Sequence, residues 1–370
     1  MTIPSTDIMV SYISVERRMS MRFLKTKLLP CFILLVLQTI GFAVPSDWPK
    51  DGIIVEPDMG RTPLLTAFDD AKSSLYVSAY KLTDKRLIEG LGNAAKRGVN
   101  VNVLVTRSIY TRLEETNPDE TPIKRLQKMG IIVNISPEFF AQTHYKLVII
   151  DGTYALIGTG NMCDEGSFDD FGDRAAERDF WTTVTDKEKV DELVTVFLAD
   201  FTGKPIKIKE SSYFVWNPDH GRAPILKFIR SAKCNLWIYQ QDIQDRVIAS
   251  AIADAARRKI DVRLIMSPFP FSPKKDNNIP HQNMIREAGG KVGMSTKWTI
   301  HAKTMLADVG TPDAKALLGS ANFYPNSLEH NREVGMIISN PEAIKTMKTT
   351  FEEDWKMADF TPRKEEEELH

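Results

Sequence analysis

His144-Tyr145-Lys146-Leu147-Val148-Ile149-Ile150-Asp151, with Gly158-Thr159-Gly160-Asn161 behind it, has a second copy in the same chain. That copy reads His301-Ala302-Lys303-Thr304-Met305-Leu306-Ala307-Asp308, followed by Gly319-Ser320-Ala321-Asn322. In both copies the Asp stands five residues after the Lys, and an apolar run joins them. One such string could be a buried histidine with a lysine reaching to solvent. Two strings, each with the same Asp and the same Gly-Ser/Thr-x-Asn turn, are not a packing accident, because motif specificity grows with the context required. Together they supply two imidazoles, two ammonium groups and two small-residue turns, a set suited to phosphodiester chemistry.

The strings belong to a duplicated half-domain. Pro63 to Val105 can be laid on Pro224 to Met266 without a gap at an offset of 161. Past the strings the match resumes at an offset of 154, with Arg178-Asp179 on Arg332-Glu333 and Asp200-Phe201 on Asp354-Trp355. A repeat this long is a doubled domain rather than a solenoid unit. It predicts a pseudo-two-fold that brings the two His-x-Lys strings face to face. The expected halves are 52–205 and 206–360, joined near Gly203 to Trp216, with an acidic tail over 361–370.

Within each half, strands alternate with helices. Leu75 to Ala79 reads as a strand, Lys85 to Arg97 as a helix ending at Gly98, and Val99 to Val105 as a strand with one buried face. A helix over Ile123 to Met129 and strands over Ile131 to Val133, Tyr145 to Ile150 and Ala155 to Gly158 follow, and the second half repeats the order. The fold class is therefore α/β, with mixed sheets flanked by helices. His144 and Lys146, two apart on a strand, point to one face, as do His301 and Lys303.

The 370 residues carry 48 Lys+Arg against 49 Asp+Glu. Arg17, Arg18, Arg22, Lys25 and Lys27 precede an apolar run from Leu28 to Val44 with Gly41 and Ala43 near its end, the order of a secretory signal. We expect export with cleavage after Ala43, an uncleaved anchor over 28–44 being the alternative, and Met21 a candidate start. Without residues 1–43 the balance is 43 basic to 47 acidic, and no basic block stands out, which argues against broad nucleic-acid binding. Cys163 and Cys234 read as two buried free thiols. No spacing calls for a metal or a cofactor.

At these residues the sequence resembles the phospholipase D superfamily, whose signature is His-x-Lys, four residues, Asp, six residues, Gly-Ser-x-Asn. The first copy differs only in Thr159 for Ser. The second has ten residues, Val309 to Leu318, between Asp308 and Gly319. The resemblance runs from about residue 52 to 357 and implies a duplicated phospholipase D-like α/β sandwich. The family includes lipases, phosphatidyltransferases such as cardiolipin synthases, and nucleases.

The chemistry follows from the parts. One imidazole attacks phosphorus to form a phosphohistidine. The other protonates the leaving alkoxide, then takes a proton from water or an acceptor alcohol. Lys146, Lys303, Asn161 and Asn322 surround the phosphoryl oxygens, and Thr159 and Ser320 either bond the same oxygens or hold the turn. The resemblance implies that His144 is the nucleophile and His301 the acid; the residues themselves are symmetric and do not assign the roles. It also implies that Asp179 and Glu333 orient the imidazoles, the competing reading being salt bridges to Arg178 and Arg332. Asp151 and Asp308 read as turn-holders.

Phe139-Phe140, Trp298 and the stretch Ser267 to Lys275, with Phe269, Phe271, Lys274 and Lys275, are the candidate substrate contacts, suited to a phospholipid surface. The leading expectation is an exported, monomeric phospholipase D-type hydrolase acting on phospholipid with peripheral membrane contact. A cardiolipin-synthase-type phosphatidyltransferase comes second and a nuclease third.

Overall fold

The two reactive strings stand at the start of the central strands of two equivalent sheets. A computed structural model describes residues 52–110, 121–271 and 275–364. The signal-like segment 1–43, Lys274 and all of the acidic tail beyond Lys364 lie outside the described residues.

In the first half the elements run β1 (Ile53–Glu56), α1 (Thr62–Asp70), β2 (Ser74–Ala79), α2 (Lys85–Lys96), β3 (Asn100–Val105), α3 (Pro122–Lys128), β4 (Ile132–Ile135), β5 (Lys146–Ile150), β6 (Tyr154–Gly158), β7 (Glu177–Val184) and α4 (Lys187–Phe201). The second half repeats them as β8 (Val215–Asn217), α5 (Ala223–Ser231), β9 (Asn235–Gln240), α6 (Arg246–Arg257), β10 (Asp261–Met266), α7 (Ile279–Glu287), β11 (Lys291–Met294), β12 (Thr299–Ile300), β13 (Lys303–Ala307), β14 (Lys315–Gly319), α8 (Pro325–Glu329), β15 (Glu333–Ile338) and α9 (Pro341–Lys356). The first sheet has the order β1-β7-β6-β5-β2-β3-β4 and the second β11-β10-β9-β13-β14-β15-β8. Both are mixed: β2-β3-β4 and β9-β10-β11 are parallel, and the rest of each path is antiparallel. The α/β duplication expected from the sequence is the fold observed.

Local chemistry repeats along with topology. Asp84 caps α2 by accepting from Leu87 N (2.9 Å), and Asp245 caps α6 by accepting from Ile248 N (3.0 Å). Asp186 and Asn340 cap α4 and α9. Such caps satisfy amide groups that a helix start leaves unpaired. Each central strand sends alternate residues to opposite faces. Val148 and Ile150 join the outer core under α1 and α2, while Leu147 and Ile149 join an inner core shared by the halves. α4 and α9 supply Phe197 and Phe351 to that inner core, where Trp216 and Trp237 also lie.

Buried ion pairs cross between the halves. Arg178 on β7 grips Asp354 of α9 with Nε (2.8 Å) and Nη2 (3.1 Å), and Tyr239 Oη donates to the same carboxylate (2.6 Å). Arg332 grips Asp200 of α4 with Nε (3.1 Å) and Nη2 (3.1 Å), and Tyr145 Oη donates there (3.2 Å). These arginines are therefore spent on the opposite half's helix, not on Asp179 or Glu333.

Three details correct the sequence reading. His144 and His301 lie just before their strands, which are at the sheet centres, and not in them, because their stretches pair with the other half. β3 is covered on both faces, so Asn102 is buried along with the valines. Cys234 is exposed, on the turn between α5 and β9, whereas Cys163 is buried.

Asp354→Ala leaves the buried Arg178 guanidinium with only the half-exposed Asp58 and the Glu56 carbonyl, and takes the acceptor from the Tyr239 hydroxyl. We expect it to destabilise the protein by about 3–5 kcal/mol, read as a fall in the urea midpoint; an unchanged midpoint would mean the inter-half ion pairs contribute nothing.

Candidate active site

Each half supplies a histidine and borrows its carboxylate from the other half. The stretch before β5 lies alongside the start of β15: His144 N donates to Arg332 O (2.9 Å) and Arg332 N to Gln142 O (2.8 Å). The next residue, Glu333, then puts Oε2 2.8 Å from His144 Nδ1. The mirror contact is made by β12, which pairs in parallel with β7. Ala302 N donates to Arg178 O (2.9 Å), and Asp179 Oδ2 lies 2.9 Å from His301 Nδ1. With Nδ1 engaged, the Nε2 edge of each ring is the one left for chemistry. Both imidazoles line a cavity of about 400 Å³, shared with Asn161, Asn322, Tyr80, Gln241 and Tyr324.

Charge in this pocket is set by burial. Burial pushes the His144 imidazole down to about 4, against the pull of Glu333 and with a further push from Lys146. Burial and then Lys303 drive His301 well below its ordinary value. Glu333 is lifted by burial but held below the usual carboxylate range by the His144 imidazole beside it. Asp179 is pushed up to about 6 by burial, in spite of Lys303. Lys146 falls to about 7 through burial and the Lys303 charge, and Lys303 falls to about 8 through burial. Each ammonium curls back on its own string: Lys146 Nζ donates to His144 O (2.6 Å) and Lys303 Nζ to His301 O. Two ammonium groups so placed are easily turned toward an anion, and an anion would raise both back toward full charge.

The other motif residues divide between cavity and frame. Asn161 Nδ2 lies 3.3 Å from His301 Nε2, and Asn322 Nδ2 donates to Gln241 Oε1 (3.3 Å), with both Oδ1 atoms unpartnered. Thr159 Oγ1 donates to Asp179 Oδ1 and accepts from Phe180 N (3.0 Å), and Ser320 Oγ accepts from Val334 N (3.1 Å). These hydroxyls thus stand behind the imidazoles, facing carboxylate and backbone. Gly158 is required by the Trp181 indole, which a Cβ there would meet at 2.2 Å. Asp151 and Asp308 sit at positive φ (54° and 58°) at the far ends of the central strands. Asp151 accepts from Ser73 N (2.7 Å) and Ser74 N (2.9 Å), and Asp308 from Lys233 N (2.7 Å) and Cys234 N (2.8 Å), so both tie turns down.

Tyr80 and Gln241 are site residues that the motif reading missed. The Tyr80 ring meets the His144 ring edge-on at 4.6 Å, and Lys146 Nζ is 5.3 Å from its centroid. Their signal was present: they are equivalent under the 161 offset, one residue past β2 and β9. Of the expected substrate contacts, Phe271 stays 60% exposed at the cavity mouth. Phe269 and Phe140 are covered by Arg363 and Arg332, and Trp298 donates from Nε1 to Asp354 Oδ1 (3.2 Å), so these three serve packing. Among the described residues, Glu177, Asp179 and His301 are the group whose donor atoms cluster closely enough for a cation, within 4.8 Å of one another. Those donors are already committed to each other, to Arg174 and to Ser167, and we assign no metal to them.

Comparison with known proteins agrees with this geometry. Residues 64–200 and 225–355 match the family described as cardiolipin synthase, PLD-like domain. The chain is 23% identical to cardiolipin synthase 1 of Bacillus anthracis over 87% of its own length and 69% of that protein's. With the cardiolipin synthase of Clostridium perfringens it shares 26% identity over 74% of this chain and 62% of that one. The fold is similar to phosphatidylserine synthase of Haemophilus influenzae (TM-score 0.64, 15% identity, 84% of this chain and 88% of that one). It is also similar to polyphosphate kinase of Porphyromonas gingivalis (TM-score 0.63, 16% identity, 87% of this chain and 53% of that one).

These relatives correct the expectation of an exported or signal-anchored protein. The chain aligns along most of its length with proteins named cardiolipin synthase, and that expectation is withdrawn. Among the described residues no helix is long and apolar enough to cross a membrane.

Because Lys146 at about 7 and Lys303 at about 8 rise when an anion binds, binding takes up protons. Tungstate affinity should therefore fall as pH rises from 7 to 9, with net proton uptake measured by titration calorimetry in buffers of different ionisation enthalpy. Proton release on binding would contradict the lysine assignment.

Proposed function

Because the chain belongs to the phospholipase D superfamily, we propose that it is a phosphatidyltransferase of the cardiolipin-synthase type, passing a phosphatidyl group to a lipid alcohol through a phosphohistidine. The observation that carries this reading is the reciprocal pair of imidazoles, each bonded through Nδ1 to a carboxylate and both lining one cavity, with Lys146 and Lys303 buried behind them on the same strings.

In this reading His144 attacks phosphorus through Nε2, while His301, whose proton affinity a bound phosphodiester anion raises again, protonates the departing oxygen. The acceptor hydroxyl then gives its proton to His301 and attacks the phosphohistidine, releasing His144 unchanged. Lys146 and Lys303 balance the phosphoryl charge, and the Asn161 and Asn322 amides bond its oxygens. Asp179 and Glu333 fix the ring orientation. Thr159 and Ser320 hold the carboxylate strands in place rather than touching phosphate. Asp151 and Asp308 act on the frame alone. Phe271 offers apolar contact to a phospholipid entering the mouth.

Water in place of the acceptor alcohol gives the hydrolase that led the sequence reading. The names of the relatives favour transfer, and a lipid alcohol at the same mouth would compete with water for one intermediate.

The test is phosphatidylglycerol in vesicles, with products separated by mass. Transfer yields diphosphatidylglycerol and glycerol; hydrolysis yields phosphatidic acid and glycerol. We expect the first, undiminished by EDTA because the lysines provide the charge, and lost in His144→Ala and in His301→Ala. Phosphatidic acid as the sole lipid product would replace the transferase by the hydrolase, and activity restored only by a divalent ion would overturn the mechanism.

A further inference from the structure

The duplication is broken at two buried positions beside the histidines. Glu177 begins β7 two residues before Asp179; the equivalent residue two before Glu333 is Asn331. Glu56 ends β1 directly opposite Asp179 in the strand pairing; Asn217 ends β8 directly opposite Glu333. The His301 side thus carries three buried carboxyl groups where the His144 side carries one carboxylate and two amides.

Geometry brings the extra groups to the reacting pair. A Glu177 oxygen, an Asp179 oxygen and a His301 nitrogen lie within 4.8 Å of one another. Glu56 is fully buried, and among the described residues its oxygens make no hydrogen bond of good geometry, the Trp181 indole being the donor that comes nearest to one. It fits only because residue 160 is glycine: a Cβ there would stand 2.6 Å from Glu56 Oε2 and 3.0 Å from Asp179 Cβ. The equivalent residue beside Asn217 is Ala321. Asn331, in contrast, bonds Glu333 through Nδ2 (3.2 Å), spending its amide on the carboxylate.

We propose that Glu177 and Glu56 are positioning residues that keep the proton of the site on the Asp179–His301 side, and so fix His301 as the general acid and His144 as the nucleophile. This rests on the phosphohistidine reading above. Directly opposed carboxyl groups on paired strands cannot both ionise cheaply. Burial with the Asp179 charge therefore pushes the Glu56 carboxyl well above its ordinary range, so Glu56 keeps its proton while Asp179 faces His301. Glu177 lies beside His301 and pulls its proton affinity up against the burial, Lys303 and Lys146 that lower it. Other charged groups facing these residues are Arg174 and Arg61, with Lys146 and Lys303 from the central strands. When the imidazolium gives its Nε2 proton to the leaving oxygen it becomes neutral, and it regains a proton from the acceptor hydroxyl.

Two measurements test this. The first is the infrared carbonyl stretch of a protonated carboxylic acid at neutral pH, expected in the wild-type protein and lost in Glu56→Gln. It needs no substrate, so it decides the Glu56 assignment even if the transferase reading fails; absence of the band overturns that assignment. The second compares leaving groups in Glu177→Gln, folded as judged by circular dichroism. An alkyl phosphodiester needs the acid and should turn over on the order of tenfold more slowly, with the alkaline limb of kcat moved down by roughly one pH unit. A p-nitrophenyl phosphodiester, whose leaving group needs no proton, should be much less affected. Equal losses on both esters with an unmoved alkaline limb would make Glu177 merely structural and overturn the proposal.

Discussion

Everything at the centre of this protein depends on one exchange: the histidine of each half is held by a carboxylate of the other. His144 with Glu333 and His301 with Asp179 are the inner members. Arg332 with Asp200 and Arg178 with Asp354 are the outer ones, one residue earlier on the same strands. Neighbouring residues on a strand face opposite ways. β7 and β15 can therefore place an arginine against the opposing helix and a carboxylate against the opposing histidine. Neither half contains a complete site, so docking of the halves and assembly of the chemistry are the same event.

That exchange explains why so much charge is tolerated in the interior. Buried ions are costly unless paired with good geometry. Here the arginines make forked contacts with their aspartates, and the hydroxyls of Tyr145, just before β5, and Tyr239, on β9, complete the lone pairs. The two lysines are the exception. Their ammonium groups bond backbone carbonyls and have depressed proton affinity, the condition of groups waiting for an anion.

The succession of elements and the duplication were legible in the sequence because a repeated pattern of apolar runs and glycine stops leaves few alternatives. The motif residues that gather at the cavity were legible for the same reason. What could not be read was the crossing of the arginines. Arg178 beside Asp179 looks like a local ion pair until the opposite half's Asp354 is brought up by tertiary packing. The strand starts were misread for a related cause: the backbone at His144 and Ala302 bonds to the other half and so leaves its own sheet. The loop aromatics Phe269 and Trp298 looked like a lipid contact by composition, but arginines from distant parts of the chain cover them. Tyr80 and Gln241 carry no motif, and only their equivalence under the repeat pointed to them.

The account stands or falls on a covalent bond between phosphorus and one particular ring. The most direct measurement is rapid alkaline quenching of the protein with an isotopically labelled phosphodiester, followed by peptide mass spectrometry. The account predicts the phosphoryl group on His144, on a peptide that also contains Lys146. A phosphoryl group on His301, on a serine or threonine, or on no residue at all while turnover proceeds, would contradict it.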